Sequence, residues 1–225
     1  MGGDAAPAAV LDPVHLIVDE LRIPVFPLAG AILFPRAQLP LHIFEPRYRT
    51  MIRDALAGDG MIGMIQPRDR DVPPALFDIG CLGRIVGSEL LDDGRYNIVL
   101  EGISRFRVVR ELAVTTPYRQ VDADPCAFDD PDEPDPLGLA QRAELEQESR
   151  RYADALGYAV DWEAVGRLDD EMLVNGIAQI APLDVSSKQA LVEAIDIAAR
   201  CELLVQFMQF QRMMPGGAEG PETLQ

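Results

Sequence analysis

Two hydrophobic periodicities divide the chain. Up to about residue 121, apolar residues alternate with polar ones in short runs, as at Tyr96, Ile98 and Leu100, and the runs end at glycine, proline or aspartate. A period of two is typical of β-strands, and the breaks predict tight turns between them. After residue 137 the apolar positions recur every three or four residues, which predicts α-helices. We therefore predict an α+β protein with a β-rich half followed by a helical half.

The most apolar part of the β-rich half, residues 23–49, contains five prolines. Proline lacks a backbone donor and fixes φ, so this stretch predicts short extended pieces at sheet edges instead of a central strand. Pro46 suits the first turn of a helix, and Gly58 suits its end. The helix face predicted between them consists of Tyr48, Met51, Ile52, Ala55 and Leu56.

The same stretch provides a candidate contact for a partner. Phe26 and Leu28 lie in a predicted strand, so we expect them to be core residues. Phe34 lies at the tip of a predicted loop, just before Pro35 and Arg36. Because loops carry function more often than core strands do, we expect Phe34 to be partly exposed.

The helical half is predicted to end in one long helix from about 185 to 213. Its polar stripe is thin, and a helix that is apolar nearly all round must be enclosed by a bundle or by a partner. Met208 and Phe210 are the candidate contacts near its end, and a second copy of the chain is one such partner. The predicted units are a β pseudo-barrel (14–121), an acidic, proline-rich linker (122–136) and a helical bundle (137–214).

Charge and cysteine content restrict the function. The net charge is −17, and residues 121–225 hold 22 acidic but only 7 basic side chains. Nucleic-acid phosphates need a basic surface, so RNA or DNA is not expected as the main partner. The three cysteines form no Cys-x-x-Cys pair, which fits a reducing cytosol. We find no signal peptide and no apolar run that spans a bilayer, and we expect a cytoplasmic protein without membrane contact.

Two segments carry a resemblance to a known family. Pro-Val-Phe-Pro-Leu-Ala-Gly-Ala-Ile-Leu-Phe-Pro (24–35) and Leu-Pro-Leu-His-Ile-Phe-Glu-Pro-Arg-Tyr-Arg (39–49) resemble the N-terminal substrate-binding domain of Lon proteases. The likeness extends from about Ile23 to Met214. One departure is Ala29, where many members of the family have arginine. The resemblance implies a PUA-like barrel followed by a helical bundle.

The resemblance also implies a function. It predicts a non-catalytic module that binds unfolded or client proteins, and that works with a protease or a chaperone. An apolar groove between barrel and bundle, rimmed by arginine, would suit an extended peptide. The candidate binding residues are Phe34, Pro35, Arg36, His42, Arg47, Tyr48, Met208 and Phe210.

Two other classes of function stay open at this stage. Lon-type barrels resemble the RNA-binding PUA fold, so the chain could bind RNA or a small molecule. A hydrolase would need a catalytic pair such as His42 with Glu45, or the thiol of Cys81. No P-loop sequence occurs, and the only lysine, Lys188, has just Ser186 and Ser187 beside it, at a predicted helix start. We expect no metal and no cofactor.

The missing catalytic motifs lead to a first testable prediction. The purified chain should hydrolyse neither ATP nor casein, because it has no P-loop and no serine–lysine pair at a suitable place. Phosphate release and peptide release measure the two activities. Turnover that disappears in a His42→Ala variant would show that the prediction of a binding module is wrong.

Overall fold

The computed structural model describes residues 21–128, 130–131 and 133–213. The predicted starts and ends of the two units, residues 14–20 and Met214, therefore lie outside the described residues. A β-rich half precedes a helical half, as predicted. The elements are β1 (Leu21–Pro27), β2 (Gln38–Ile43), α1 (Pro46–Ala57), β3 (Met61–Ile65), β4 (Ile79–Leu90), β5 (Tyr96–Glu111), β6 (Gln120–Asp124), α2 (Leu139–Leu156), α3 (Trp162–Val165), α4 (Asp170–Ile180), α5 (Val185–Glu193) and α6 (Ile197–Met213).

Strand β5 closes the sheet into a barrel. The strand order is β2-β5-β4-β3-β1-β6, and the second half of β5 also pairs with β6. The 16 residues of β5 can pair with strands at both ends of the sheet because bulges bend the strands. The bulges lie at the register shifts Leu82/Gly83, Ile85/Gly87 and Val108/Arg110. The predicted pseudo-barrel is confirmed.

Glycines inside the strands make room for a buried ring. Phe106 is fully buried in the barrel. A Cβ atom at Gly80 would lie 2.5 Å from the carbonyl oxygen of Met64 and 2.6 Å from the Phe106 ring. A Cβ atom at Gly63 would lie 3.0 Å from the same ring. The two glycines therefore allow the strands to approach this aromatic side chain closely.

The proline-rich stretch folds largely as its pattern predicts. It forms the extended strands β1 and β2, and Pro46 is the first residue of α1. Four of the five residues of the predicted helix face are buried, and Leu56 is half-exposed. Phe26 lies in the core against Tyr48, with 4.3 Å between ring centroids, while Leu28 packs at the edge of that core.

The predicted long helix 185–213 is instead two helices. Helix α5 ends at Glu193, where the following Ala194 has an extended backbone (φ −55°, ψ 134°), and α6 begins at Ile197. Asp196 caps the new helix, since its Oδ1 accepts a hydrogen bond of 2.7 Å from the backbone nitrogen of Ala199. No glycine or proline marks this break in the sequence.

Arg105 of β5 stabilises the break from the barrel side. Its guanidinium donates to the backbone carbonyls of Val192, Ala194 and Ile195, which the break leaves without helical partners. Its side chain is only 2% exposed, and it forms an ion pair of 2.8 Å with Asp130. The position of the break therefore depends on a contact between residues 87 or more positions apart.

The acidic segment 122–136 is predicted to be a solvated linker, but its first residues do not fit this prediction. Its first residues belong to β6, whose Asp122 is buried and accepts from Arg110 Nε at 2.8 Å. Farther along, Asp130 is nearly buried against Arg105. Composition alone suggested a solvated linker because it could not show which carboxylates are buried and paired with an arginine.

The barrel and the bundle share a buried interface. Gln66 of the barrel donates to Gln189 of α5 at 3.2 Å, and Gln189 donates to the carbonyl of Ile79 at 3.1 Å. Lys188 Nζ donates to the carbonyls of Gly30 and Gln179, each at 2.8 Å. Among the described residues, every buried side-chain nitrogen or oxygen has a hydrogen-bond partner. The two halves therefore pack as one body at this interface.

The Arg105 contacts lead to a stability prediction. In an Arg105→Ala variant, Asp130 would be left nearly buried and unpaired, and three carbonyls would lose their donor. We expect the free energy of unfolding to fall by about 3–5 kcal/mol, the usual cost of breaking a buried ion pair. Urea denaturation measures this change.

The matched control is Arg107→Ala, since Arg107 is exposed on the same strand. Its effect should stay within about 0.5 kcal/mol. Equal losses for the two variants would contradict the proposed role of Arg105 as the anchor of the helix break.

Candidate functional site

Half of the predicted binding residues lie in the interior. Phe34, Tyr48 and Met208 are core residues, and Pro35 is also buried. Burial raises the pKa of the Tyr48 hydroxyl, which keeps it neutral. These four side chains stabilise the fold, and a partner cannot reach them in this conformation.

Phe34 corrects the expectation of an exposed loop tip. Its ring is fully buried beneath Arg200 of α6, whose Cζ lies 4.3 Å from the ring centroid. Arg200 also donates to the carbonyl of Leu191 and to Asn175 Oδ1. Burial, together with the nearby charge of Arg105, lowers the pKa of Arg200 to about 10. The segment before Pro35 therefore passes between barrel and bundle and does not project into solvent.

Arg36 is exposed, but it also connects the two halves. Its Nε and Nη2 atoms donate to the two carboxylate oxygens of Glu171 on α4, at 2.8 and 2.6 Å. Arg36 has φ +63°, a conformation rarely adopted by residues other than glycine. The two hydrogen bonds to Glu171 on α4 help to hold Arg36 in this backbone conformation.

Where the described residues of barrel and bundle pack together, they do not form the predicted groove. The space at this interface is a cavity of about 10 Å³, lined by residues such as Ile32, Ile65, Gln66, Gln189 and Val192. That is room for one water molecule at most. Apolar side chains and amide hydrogen bonds fill the interface, so neither a peptide nor a small molecule fits there.

An exposed sheet face remains on the barrel. In β2, Leu39, Leu41 and Ile43 point towards the core, while Gln38, Pro40 and His42 point outward. The outward residues lie opposite Glu101, Val99 and Asn97 of β5. Within the described chain β2 pairs only with β5, so its other edge is unpaired. We call the outward side of this strand pair, with Phe44 at its end, the β2 face.

Both ring nitrogens of His42 on the β2 face have hydrogen-bond partners. Arg95 Nη1 lies 3.1 Å from His42 Nε2, and because a guanidinium can only donate, Nε2 must accept. Nδ1 therefore carries the hydrogen and donates to Asn97 Oδ1 at 2.7 Å. Asn97 in turn donates to Glu89 Oε2 at 2.9 Å. This network fixes the orientation of the ring on the β2 face.

Phe44 is an exposed aromatic residue on the β2 face that the candidate set lacks. It follows β2 directly, is 61% exposed, and stacks on His42 with 6.4 Å between ring centroids. Pro46 at the start of α1 restricts the backbone just after it. In the sequence, Pro40, His42 and Phe44 alternate with residues that point inward. This alternation could have identified Phe44 as an outward-pointing residue.

The remaining candidates lie apart from one another. Arg47 is exposed on α1 and pairs with Glu45 at 2.8 Å. Phe210 is exposed on α6, in the other half of the molecule. The eight predicted residues therefore do not form a single site.

The catalytic groups that the sequence suggested, His42 with Glu45 and the Cys81 thiol, do not form a catalytic arrangement. Glu45 bonds Arg47, and His42 bonds Asn97 and Arg95, so the two do not form an acid–base pair. Burial raises the pKa of the Cys81 thiol, which disfavours the nucleophilic thiolate.

The serine–lysine pair is also not formed. Lys188 is buried against two carbonyls, and burial lowers its pKa. The hydroxyl of Ser187 donates instead to Asp184 Oδ2 at 2.8 Å, as part of the helix cap. A base held by Gly30 and Gln179 does not activate this hydroxyl.

Metal-binding clusters and membrane-spanning helices are both absent from the described part of the chain. Residues 21–128, 130–131 and 133–213 contain no group of three or more His, Cys, Asp or Glu side chains that could hold a metal ion. None of the helices in that part is long and apolar enough to cross a membrane.

Comparison with known proteins gives a consistent result. The Lon protease 2 of Myxococcus xanthus is 27% identical over 219 residues, which is 92% of this chain and 26% of that protein. The Lon protease of Flavobacterium johnsoniae is 30% identical over 202 residues, or 85% of this chain and 24% of that protein. The chain spans about a quarter of the length of these relatives.

Solved structures share the fold. A Lon N-terminal domain protein from Xanthomonas campestris has a TM-score of 0.62 at 24% identity, covering 84% of this chain and 99% of that one. The N-terminal domain of a Mycobacterium avium complex Lon protease has a TM-score of 0.59 at 19% identity, covering 84% and 98%. The family model of the ATP-dependent protease La (LON) substrate-binding domain matches residues 22–209. The chain therefore belongs to the LON substrate-binding domain family.

Proposed function

We propose that this chain binds segments of unfolded or client proteins through the β2 face and catalyses no reaction itself. The observation that carries the proposal is Phe44, a large aromatic side chain that is 61% exposed on a rigid corner. Membership of a family of substrate-binding domains supports the same class of function.

The β2 face offers a client apolar contact. Phe44, the ring of His42, Pro40 and Val99 present apolar atoms on one side of the sheet. Covering the exposed part of one Phe would contribute about 2–4 kcal/mol before the entropy cost of binding. The neighbouring apolar atoms must add to this contribution, and the result is a weak, sequence-tolerant contact of the kind that a module for unfolded clients requires.

The unpaired edge of β2 adds a backbone contribution. An extended client segment could hydrogen-bond to this edge as an additional strand. Pro40 removes one donor from the strand, and prolines on edge strands limit uncontrolled pairing. The apolar side chains would therefore contribute most of the affinity, and the edge would orient the segment.

The two alternative functions have less support. The chain is acidic overall, and the β2 face carries no cluster of unpaired basic side chains among the described residues, which does not favour RNA. The cavity of about 10 Å³ does not favour a small molecule. A protease or chaperone as a working partner, a second copy bound through α6, and a cytoplasmic location stay predictions.

Binding of a denatured protein tests the proposal. Reduced, carboxymethylated α-lactalbumin serves as the unfolded probe and native α-lactalbumin as its folded counterpart, with biolayer interferometry as the measurement. The chain should bind only the unfolded form, and Phe44→Ala should weaken binding about tenfold or more. Its melting temperature should change little, because the side chain is exposed.

The control is Val72→Ala, which removes a side chain that is 98% exposed on the loop between β3 and β4. This variant should bind like the unmodified chain. Unchanged affinity in Phe44→Ala would reject the β2 face as the site, and no binding of the unfolded probe by the unmodified chain would reject the function.

A further inference from the structure

Helix α6 has a second apolar stripe beside the row of side chains that packs into the core. Ala199, Leu203, Phe207 and Phe210 follow one another at spacings of four, four and three residues, and Met213 continues the series. These spacings put the side chains on one helix face, over about 20 Å. The side that contains Leu204 and Met208 packs into the bundle.

This stripe reaches solvent. Leu203 and Phe207 are half-buried where α6 meets its neighbours, whereas Phe210 is 59% and Met213 is 73% exposed. Ile195, four residues before Ala199, is 76% exposed just ahead of the helix. The middle of the stripe is therefore partly covered by the core, while Ile195, Phe210 and Met213 are exposed. Exposed apolar side chains along one helix face are characteristic of an interaction surface.

The fully exposed charged side chains of residues 182–213 are all acidic. Between residues 182 and 213, all of which the structure describes, the exposed side chains are apolar, acidic or neutral. None of the acidic ones forms an ion pair with a basic side chain in the described part of the chain. The only basic residues of this range are Lys188 and Arg200, both buried, and Arg212, which pairs with Glu148. The acidic residues are Asp184, Glu193, Asp196 and Glu202.

We propose that the α6 stripe binds a basic amphipathic helix of another protein. The apolar side chains of such a helix would pack along Leu203, Phe207 and Phe210 in the manner of helix-on-helix packing. Its Lys or Arg side chains would meet Glu193, Asp196 and Glu202. Complementary charge would favour this partner over an acidic or neutral helix of equal hydrophobicity.

Charge also argues against two other occupants. A second copy of the chain would bring the same carboxylates to a two-fold interface, where like charges repel. An anionic membrane surface would repel the stripe for the same reason. The proposal concerns a different surface from the β2 face and does not depend on it.

Designed peptides test the partner chemistry. The probe is a fluorescein-labelled peptide of about 18 residues, with leucines on one helix face and lysines elsewhere. One comparison peptide replaces lysine with glutamate, and another scrambles the leucine–lysine sequence so that no helix face forms. By fluorescence anisotropy, the leucine–lysine helix should bind about tenfold more tightly than either, and added salt should weaken it. Equal affinity for the glutamate peptide or the scrambled peptide would overturn the proposal.

Two variants locate the binding site. Phe210→Ser should weaken binding of the basic helix about fivefold or more. Glu202→Lys should also weaken it, while Asp92→Lys, the same charge change on the turn between β4 and β5, should have little effect. Similar effects of the two lysine variants would show that only net charge matters and would overturn the assignment to α6.

Two further measurements separate this proposal from its competitors. Binding of unfolded α-lactalbumin by Phe210→Ser, measured on the same preparation, shows whether the variant is folded and whether the β2 face still works. Light scattering on a sizing column gives the oligomeric state. A dimer that Phe210→Ser converts to a monomer would assign the stripe to a second copy and overturn the proposal.

Discussion

The rest of the structure depends on the contacts of one buried guanidinium, that of Arg105. It belongs to β5, the strand that closes the barrel, and it binds Asp130 and three carbonyls at the break between α5 and α6. A buried charge is costly unless it is paired and fully hydrogen-bonded, so this group tolerates few alternative arrangements. One side chain thereby couples the barrel, the acidic segment and the last two helices.

This coupling determines where a partner can bind. Among the described residues, the interface between barrel and bundle is filled by Phe34, Arg200, Gln66, Gln189 and Lys188, around a cavity of about 10 Å³. Opening it would expose buried polar groups that now satisfy one another. Binding to the outer surface, on the barrel or on the bundle, avoids that cost.

The two outer surfaces differ in chemistry. The β2 face places Phe44 beside His42, whose two ring nitrogens are hydrogen-bonded, in a setting where charged groups already have partners. The α6 stripe has a similar apolar character but is bordered by carboxylates without basic partners among the described residues. Apolar contact is tolerant of sequence, whereas unpaired charge discriminates between partners. As proposed, the β2 face would be a permissive surface and the α6 stripe one that is selective for positive charge.

Local pattern was sufficient for most of the fold. The change of period from two to between three and four separated the barrel from the bundle, and Pro46 and Gly58 marked the limits of α1, because backbone propensities act over a few residues. The segments 24–35 and 39–49 were also enough to indicate the family. The burial of Phe34, the break at Ala194 and the pairing of Asp130 were decided by tertiary structure. Each depends on an arginine that is distant in sequence: Arg200 for Phe34 and Arg105 for the other two. Exposure was decided in the same way. Phe34 directly precedes Pro35, and Phe44 lies two residues before Pro46, so their local sequences are similar. Only the packing of the bundle against the barrel covers Phe34 and leaves Phe44 in solvent.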